Sequence, residues 1–398
     1  MNWRYLIPFF DPSVERWSME ARLLRWLTFL WLSMGLVVVF SASYAVANIE
    51  HGDGLYYFKR QLLWMLVGTI GFNVIVRTPI HAILRTARIG LFSILGLLIL
   101  TLIPGLGTTI NGATRWISIG PVLLQPSELM KPFLVLQSSY FFSQWNRFSL
   151  KTRLVWLGIF SLILLTILMQ PNLSTTGLCG MTLWLIALAA GLPFLYLGGT
   201  AFAGILLATI SISLNEYQKL RVLSFMNPWA DPMNNGYQLI QSLLAVGSGG
   251  VWGTGLGLSQ QKLFYLPIQY SDFIFAVYAE EFGFVGGILL LLLLGAYASI
   301  ALRVALNAER IQHQLVAIGV MVVMVGQSIL NIGVATGALP TTGLPLPLFS
   351  YGGSSMIASL ALAGLLIRVA RESSTAEVIS LENSRPESRR RKSLPRKN

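Results

Sequence analysis

Apolar runs close to the length of a bilayer span recur along this 398-residue chain, and they constrain its fold class more than any other feature. A hydrocarbon core about 30 Å thick needs roughly 20 apolar residues in a helix, because no water inside it satisfies open backbone groups. Such runs lie near 26–47, 60–76, 88–103, 126–143, 153–170, 176–191, 194–213, 273–302, 314–336 and 354–370. The expectation is an all-α integral membrane protein with about ten transmembrane helices. The second and sixth runs are short, and Glu128, Lys131 and Pro132 interrupt the fourth. Only 11% of residues are charged, where soluble chains carry about a quarter. Ala45-Val46-Ala47 resembles a cleavage site, but the run from Trp26 to Ala47 exceeds the roughly 7–15 residues of a signal h-region. It therefore reads as an uncleaved first span.

Lys and Arg number 28 against 16 Asp and Glu. They punctuate the apolar runs and form no continuous stripe, which argues against nucleic acid as a partner. Their placement also orients the chain. Arg4, Arg16, Arg22 and Arg25, then Arg77, Arg85 and Arg88, then Arg147, Lys151 and Arg153, then Arg303 and Arg310 fall on one side. The opposite side holds Lys59, Arg60, Arg115, Lys219, Arg221 and Lys262. Cationic loops mark the cytoplasm, so both termini are expected inside and the number of spans even. Three units follow: a cytoplasmic segment over 1–25, a membrane domain over 26–370, and a basic tail over 371–398. The tail, with Arg389-Arg390-Arg391-Lys392, is expected to be disordered and drawn to anionic lipid. Cys179 has no partner for a disulfide, and with three histidines it is too little for a His/Cys metal cage.

Two outer segments are long, about 104–125 and about 214–271. The second, between helices 7 and 8, is far longer than a simple connection, which points to function. Within it, Tyr237 to Val246 places Leu239, Ile240, Leu243 and Leu244 on one helical face and Gln238, Gln241 and Ser242 on the other. Such a helix suits the membrane interface.

Four constellations carry candidate chemistry. Glu128 and Lys131 share a helix face, following Pro126 at the first turn. They form either a neutralised pair or, with Arg115, a site for a phosphorylated ligand. Gly247 to Gly257 is a glycine run that suits a tight or re-entrant turn better than a phosphate nest. Asp272 opens the eighth helix, either as its cap (a role Ser271 also fits) or as a chemical group, with Glu280 two turns on and Glu281 beside it. Gln327 and Asn331, spaced i,i+4, read as interhelical glue. Finally, Pro340, Pro345 and Pro347 keep the segment before Ser350-Tyr351-Gly352-Gly353-Ser354-Ser355 from being helical. It is apolar enough to pack into the outer mouth of the bundle.

Together these blocks resemble the SEDS family (shape, elongation, division and sporulation). The resemblance rests on Gly112-Ala113-Thr114-Arg115-Trp116-Ile117 with Gln125-Pro126-Ser127-Glu128-Leu129-Met130-Lys131, and on Asn227-Pro228-Trp229-Ala230-Asp231-Pro232 with Gly236-Tyr237-Gln238. It rests equally on Ser271-Asp272-Phe273-Ile274-Phe275-Ala276 with Glu280-Glu281-Phe282-Gly283, and on Ser350 to Ser355. It runs over about 26–370 and is closer to division-type than to elongation-type members. It implies a ten-span peptidoglycan glycosyltransferase that polymerises lipid II beside a class B penicillin-binding transpeptidase and other division proteins, in the bacterial plasma membrane at the septum. It further implies that Asp272 is the catalytic acid position and that Arg115, Glu128 and Lys131 belong to the substrate cavity. Gln125, Arg221, Lys262, Glu280 and Ser354 are the other residues expected to touch substrate.

The chain departs from the family at two places. Pro267-Ile268-Gln269-Tyr270-Ser271-Asp272 stands where members usually have Pro-Glu-x-His-Thr-Asp, and Gln170-Pro171-Asn172-Leu173-Ser174-Thr175 where they have Gln-Pro-Asp-Leu-Gly-Thr. Asn172 thus removes an acid. No cofactor is required by the sequence, and a divalent cation such as Mg²⁺ or Mn²⁺ is a candidate for charge stabilisation. The expected chemistry is direct displacement: a carboxylate takes the acceptor hydroxyl proton, and the anomeric centre inverts. A transporter of the same lipid-linked precursor, and a scaffold that only recruits partners, are the rival readings.

Overall fold

The computed structural model describes residue 14 and residues 17–110, 113–120 and 122–383, with side chains described to residue 373. Asn111 and Gly112, the N-terminal Arg4 and Arg16, and the basic run at 389–392 lie outside the described residues.

A helix stands at each of the ten apolar runs. In chain order these are α1 Met19–His51, α2 Tyr56–Arg77, α3 Ile80–Leu100, α4 Pro126–Ser143, α5 Leu150–Met169, α6 Leu173–Ala189 and α7 Phe194–Leu214. Two shorter helices follow, α8 Glu216–Met226 and α9 Tyr237–Ser248. Then come α10 Ile274–Leu306, α11 Ile311–Met321 continued through a π-turn at Val322–Gly326 into α12 Gln327–Ala335, and α13 Gly353–Asn383. Among the described residues, seven helices are long and apolar enough to cross a membrane: α1, α3, α5, α7, α10, the continuous α11–α12 and the first part of α13. The apolar α6 is shorter.

The charged α4 shows how a polar helix is tolerated here. It packs against α3, α6, α11 and α13, and both Glu128 and Lys131 are buried by protein. Lipid does not meet these charges, so the cost of ionised groups in hydrocarbon is met by internal pairing. The opposite extreme is α7, whose single buried residue is Leu197. Its apolar side chains face outward, as a lipid-bathed helix requires.

The first long outer segment is not a loop. It forms a three-stranded antiparallel sheet, β1 Gly107–Ile110, β2 Ala113–Ile119 and β3 Val122–Leu124, in the order β1-β2-β3. The β-branched run Thr108-Thr109-Ile110 and the alternation through Thr114, Trp116 and Ser118 are the signals that favour strands there. In the second outer segment α8 is new, and α9 differs from the expected interfacial helix. Leu239, Ile240, Ser242 and Ala245 are buried, while Leu244 is exposed. The helix lies on α10 and α12, and the Ser242 hydroxyl donates to Ala335 O at 2.7 Å. Ser242, expected on the polar face, is thus drawn into the bundle by a hydrogen bond to its backbone, while Leu244 is left outside. At the C-terminal end, α13 runs past Arg371 to Asn383; no Pro or Gly interrupts the sequence between Gly364 and Pro386.

The glycine run explains itself through α10. That helix is broken at Gly283, which has φ 65° and ψ −166°. Four backbone bonds pass between the break and the run: Thr254 N to Glu280 O, Gly255 N to Glu281 O, Phe284 N to Gly250 O and Val285 N to Val251 O, at 2.9–3.1 Å. The run thus satisfies groups that the broken turn leaves open. A β-carbon on Gly283 would sit 2.3 Å from Gly253 N, and one on Gly253 2.2 Å from Glu281 O. Close backbone approach, not phosphate binding, accounts for these glycines. Gly283→Ala is expected to lower the thermal unfolding midpoint in detergent, since the positive φ alone costs about 1–3 kcal/mol and the clash adds to it. Gly247→Ala, which meets nothing within 4 Å, is the control expected to leave the midpoint unchanged or raise it.

Candidate active site

Asp272 lies two residues before α10 and does not cap it. The N-cap position is Phe273, and no side chain makes a capping bond there. Neither Ser271 nor Asp272 therefore fills the cap role weighed from sequence. The backbone that carries the carboxylate is held from three directions. Asn331 of α12 donates Nδ2 to Asp272 O at 2.8 Å. The Ser350 hydroxyl donates to Ser271 O at 2.7 Å, and Tyr351 N donates to Tyr270 O at 2.9 Å. Such fixing lowers the reorganisation a reactive group must undergo.

Two guanidiniums share the neighbourhood. Arg115, projected from β2, donates Nε to Gln170 O at 3.0 Å and Nη2 to Pro171 O at 2.5 Å. Arg221, on α8, lies over the Tyr217 ring at 4.5 Å and donates to Thr341 O at 3.4 Å. Both line a cavity of about 240 Å³ with Asn172, Tyr217, Pro340 and Thr342. Gly343, with φ 72°, closes the gap to Asp272: a β-carbon there would lie 3.5 Å from Asp272 Oδ2 and 3.9 Å from both Arg221 Nη atoms. The missing side chain keeps carboxylate and guanidinium open to a common point.

Burial pushes the Asp272 carboxyl above the usual carboxylate range. The Ser271 hydroxyl, donating to Oδ1 at 3.2 Å, and the charges of Arg221 and Arg115 pull it partly back, while Glu128 pushes it up. Arg115 is lowered, chiefly by burial. Among the described residues neither arginine forms an ion pair with a carboxylate, so its charge remains available to an anion.

Behind this site, Lys131 Nζ bonds Glu128 Oε1 at 2.6 Å and Gln327 Oε1 at 2.8 Å. Gln327 in turn donates to Pro345 O at 2.6 Å, and Asn331 donates to Leu344 O at 2.8 Å. The i,i+4 pair on α12 therefore joins the α4 ion pair to the proline segment and to Asp272. The same two residues tie that proline segment to the bundle.

The other residues anticipated as substrate contacts lie elsewhere. Gln125 N donates to Ser354 Oγ at 2.9 Å, a link between the starts of α4 and α13. Glu280 accepts from the Ser259 hydroxyl and from the amides of Gln260 and Gln261. Lys262 pairs with Glu281 at 2.8 Å and with Ser41 at 2.8 Å, and is 6% exposed. These are loop anchors, placed by burial and satisfied by protein groups. Tyr217 and Gly343 were not anticipated. The spacing of Tyr217 four residues before Arg221 is the only signal of the first, and nothing local marks the second.

Asp272 stands near this cavity without lining it, and the cavity itself offers the Asn172 side chain beside two guanidiniums. Among the described residues no group of three His, Cys, Asp or Glu is placed to hold a metal ion. This donor set fits an anion and does not fit a cation held by protein ligands alone.

The fold and site define a multi-pass membrane protein with a polar, cationic cavity beside a buried carboxylate. A family model described as cell cycle protein, covering FtsW, RodA and SpoVE, matches residues 21–375. The chain is 58% identical over 378 residues to a probable peptidoglycan glycosyltransferase FtsW of Synechocystis sp., across 95% of this chain and 96% of that one. It is 39% identical to stage V sporulation protein E of Bacillus subtilis, across 87% and 96%. Among solved structures it resembles a chain of a peptidoglycan synthase complex that coordinates polymerization and crosslinking. The TM-score is 0.71 and the identity 28%, over 88% of this chain and 97% of that one. Thermus thermophilus RodA gives 0.64 and 27%, over 88% and 96%. The chain belongs to the FtsW/RodA/SpoVE family of cell cycle proteins.

Proposed function

We propose that this protein polymerises lipid II into glycan strands during cell division, with Asp272 as general base. The observation that carries the reading is the juxtaposition of one raised carboxylate with two guanidiniums that pair with no acid among the described residues. The acceptor 4-hydroxyl gives its proton to Asp272 as its oxygen bonds to the anomeric carbon of the second substrate. The bond from that carbon to undecaprenyl pyrophosphate breaks, and the configuration inverts. Charge gathering on the departing pyrophosphate is met by Arg115 and Arg221. Glu128 and Lys131 act through the backbone they hold, not through the substrate. No step is routed through a divalent cation. The cavity reaches Ile212 on α7, and the exposed apolar face of that helix gives the polyprenyl tail a hydrocarbon path.

The same reading includes ten spans with both termini cytoplasmic and the site on the outer face, at the septum of the inner membrane. A class B transpeptidase is the partner. The resemblance to a complex coordinating polymerization and crosslinking supports that partner, and the cation asymmetry supports the orientation.

The test uses the purified full chain, with and without a transpeptidase, and labelled lipid II. Polymer is the expected product; movement of lipid II across vesicles with no polymer would return the transporter reading. Arg115→Ala and Arg221→Ala are each expected to lower kcat by about 10²–10³-fold. KM should change less, since the charge they meet develops in the transition state. A rise in KM with kcat unchanged would assign them to ground-state binding instead.

A further inference from the structure

A long, mobile arginine side chain stabilises a developing charge only if it is held in place before the charge appears. For Arg115, on β2, the holding groups lie on another element. Gln170 is the C-cap of α5, and Pro171 follows it in the turn to α6. Carbonyls at such an end have no partner within the helix and carry the negative end of its dipole. Arg115 donates Nε to Gln170 O at 3.0 Å and Nη2 to Pro171 O at 2.5 Å. The two bonds fix the plane of the guanidinium and leave its other N–H groups for the cavity that Arg115 lines.

The turn that carries these carbonyls is itself pinned by the Gln170 side chain. Its Nε2 donates to Thr101 Oγ1 at 2.6 Å and to Leu98 O at 3.3 Å, and the Thr101 hydroxyl donates to Leu98 O at 2.7 Å. Both side chains are buried, and Gln170 Oε1 has no partner among the described residues. An unsatisfied buried oxygen costs stability that an apolar side chain of the same size would not. What the amide supplies in return is the pair of bonds from its nitrogen. On the other side of the turn, Asn172 accepts from Thr175 N at 3.3 Å and starts α6.

Thr101 also bounds the sheet. It ends α3 as its C-cap. A β-carbon on Gly107 of β1 would lie 2.2 Å from Thr101 O and 2.5 Å from Thr114 Cγ2, so β1 packs directly on Thr101. Gly107 pairs across to Ile117 of β2, two residues from Arg115. Both ends of the Arg115 side chain are thus referred to one residue: its backbone through β1, its guanidinium through Gln170.

We propose that Gln170, seated on Thr101, is a positioning residue that aims Arg115 at the departing pyrophosphate. The inference rests on the polymerase reading and deepens it by naming what orients one of its two cations. Gln170 does not line the cavity and acts only through Arg115. Without its amide the α5–α6 turn relaxes and the guanidinium loses its fixed plane. The loss then falls on the step in which charge develops, more than on substrate binding.

The experiment is a double-mutant cycle on the full-length protein in nanodiscs, with a transpeptidase present. Gln170→Met and Thr101→Val, which keep volume and remove the bond, should each lower kcat by about 10- to 100-fold, with KM changed less. Thr101→Ser keeps the hydroxyl and should retain most of the activity. In an Arg115→Ala background, Gln170→Met should change kcat by no more than about 2-fold, because the residue it positions is gone. A merely structural role predicts instead that the two losses multiply, and that result overturns the proposal. So does wild-type kcat in folded Gln170→Met, or Thr101→Ser failing as Thr101→Val does. Should Gln170→Met not fold, Thr101→Val and Thr101→Ser decide in the same cycle. Binding of undecaprenyl pyrophosphate is measured separately, without turnover. Arg115→Ala is expected to bind it about 10-fold more weakly, and Gln170→Met more weakly than wild type but no more so than Arg115→Ala. Wild-type binding in either variant overturns the proposal. A wild type that makes no polymer while the variants bind in this order defeats the polymerase reading and leaves the positioning of Arg115 standing.

Discussion

Asp272→Asn stops glycan synthesis while the protein stays folded: the expected loss is about 10²–10⁴-fold, the range of a positioned general base. The substitution keeps the shape of the side chain and removes only its capacity to take a proton. Two further signs follow from the direction of the pKa shift. Burial is the largest cause holding the carboxyl above its ordinary value. Catalysis needs the deprotonated form, so wild-type activity should fall on acidification at a higher pH than an exposed aspartate would give. Stability runs the other way. A carboxyl whose folded pKa is raised favours the fold fully only below its unfolded pKa of about 3.9, and that contribution is lost as pH rises through the raised value. At neutral pH the charged group is a cost, and Asp272→Asn should unfold no more easily than wild type. Thermal unfolding at neutral and acid pH checks this, with the gap between the proteins closing as pH falls. Undiminished polymer from Asp272→Asn would end the base assignment.

The second large effect concerns Lys131. Lys131→Met removes the partner of Glu128 in a place where both side chains are 2–3% exposed. An uncompensated buried charge costs about 3–5 kcal/mol, while replacing both members with uncharged groups is often neutral. The single variant should therefore insert poorly or unfold early in detergent. Adding Glu128→Gln should recover most of the loss. The measurement is the unfolding midpoint of both proteins in one detergent, with size-exclusion profiles for dispersity. Equal destabilisation in single and double variants would mean that Lys131 matters through Gln327 and the proline segment instead of through charge. Because that network ends at Asp272 O, the double variant is also expected to show activity below wild type.

How much of this was legible in the sequence depended on range. The long apolar segments were, since hydropathy and length act locally, and α4 was correctly placed despite Glu128 and Lys131. The i,i+4 spacing of Gln327 and Asn331 announced a polar stripe inside an apolar helix, and both residues bind buried groups. Arg115, Arg221 and Asp272 were named individually as candidates. Lys262 and Glu280 were named on the same grounds, and their burial against Glu281 and the Ser259 turn sets them apart. Charge alone does not distinguish a cation facing a cavity from one satisfied within the protein. The sheet carrying Arg115 was not anticipated because its strands are short and lie in a segment read only as a long outer connection.

The sequence by itself determined a helical membrane protein, its main apolar segments and the small set of charged residues from which a site is drawn. Those properties follow from the length, polarity and spacing of neighbouring residues. The tertiary structure alone decided that Asp272 is not a helix cap, that Gly343 leaves it open toward Arg221, and that the glycine run closes a break in α10. Each of these depends on atoms brought within a few ångströms from positions tens to hundreds of residues apart, and no local pattern encodes such an approach.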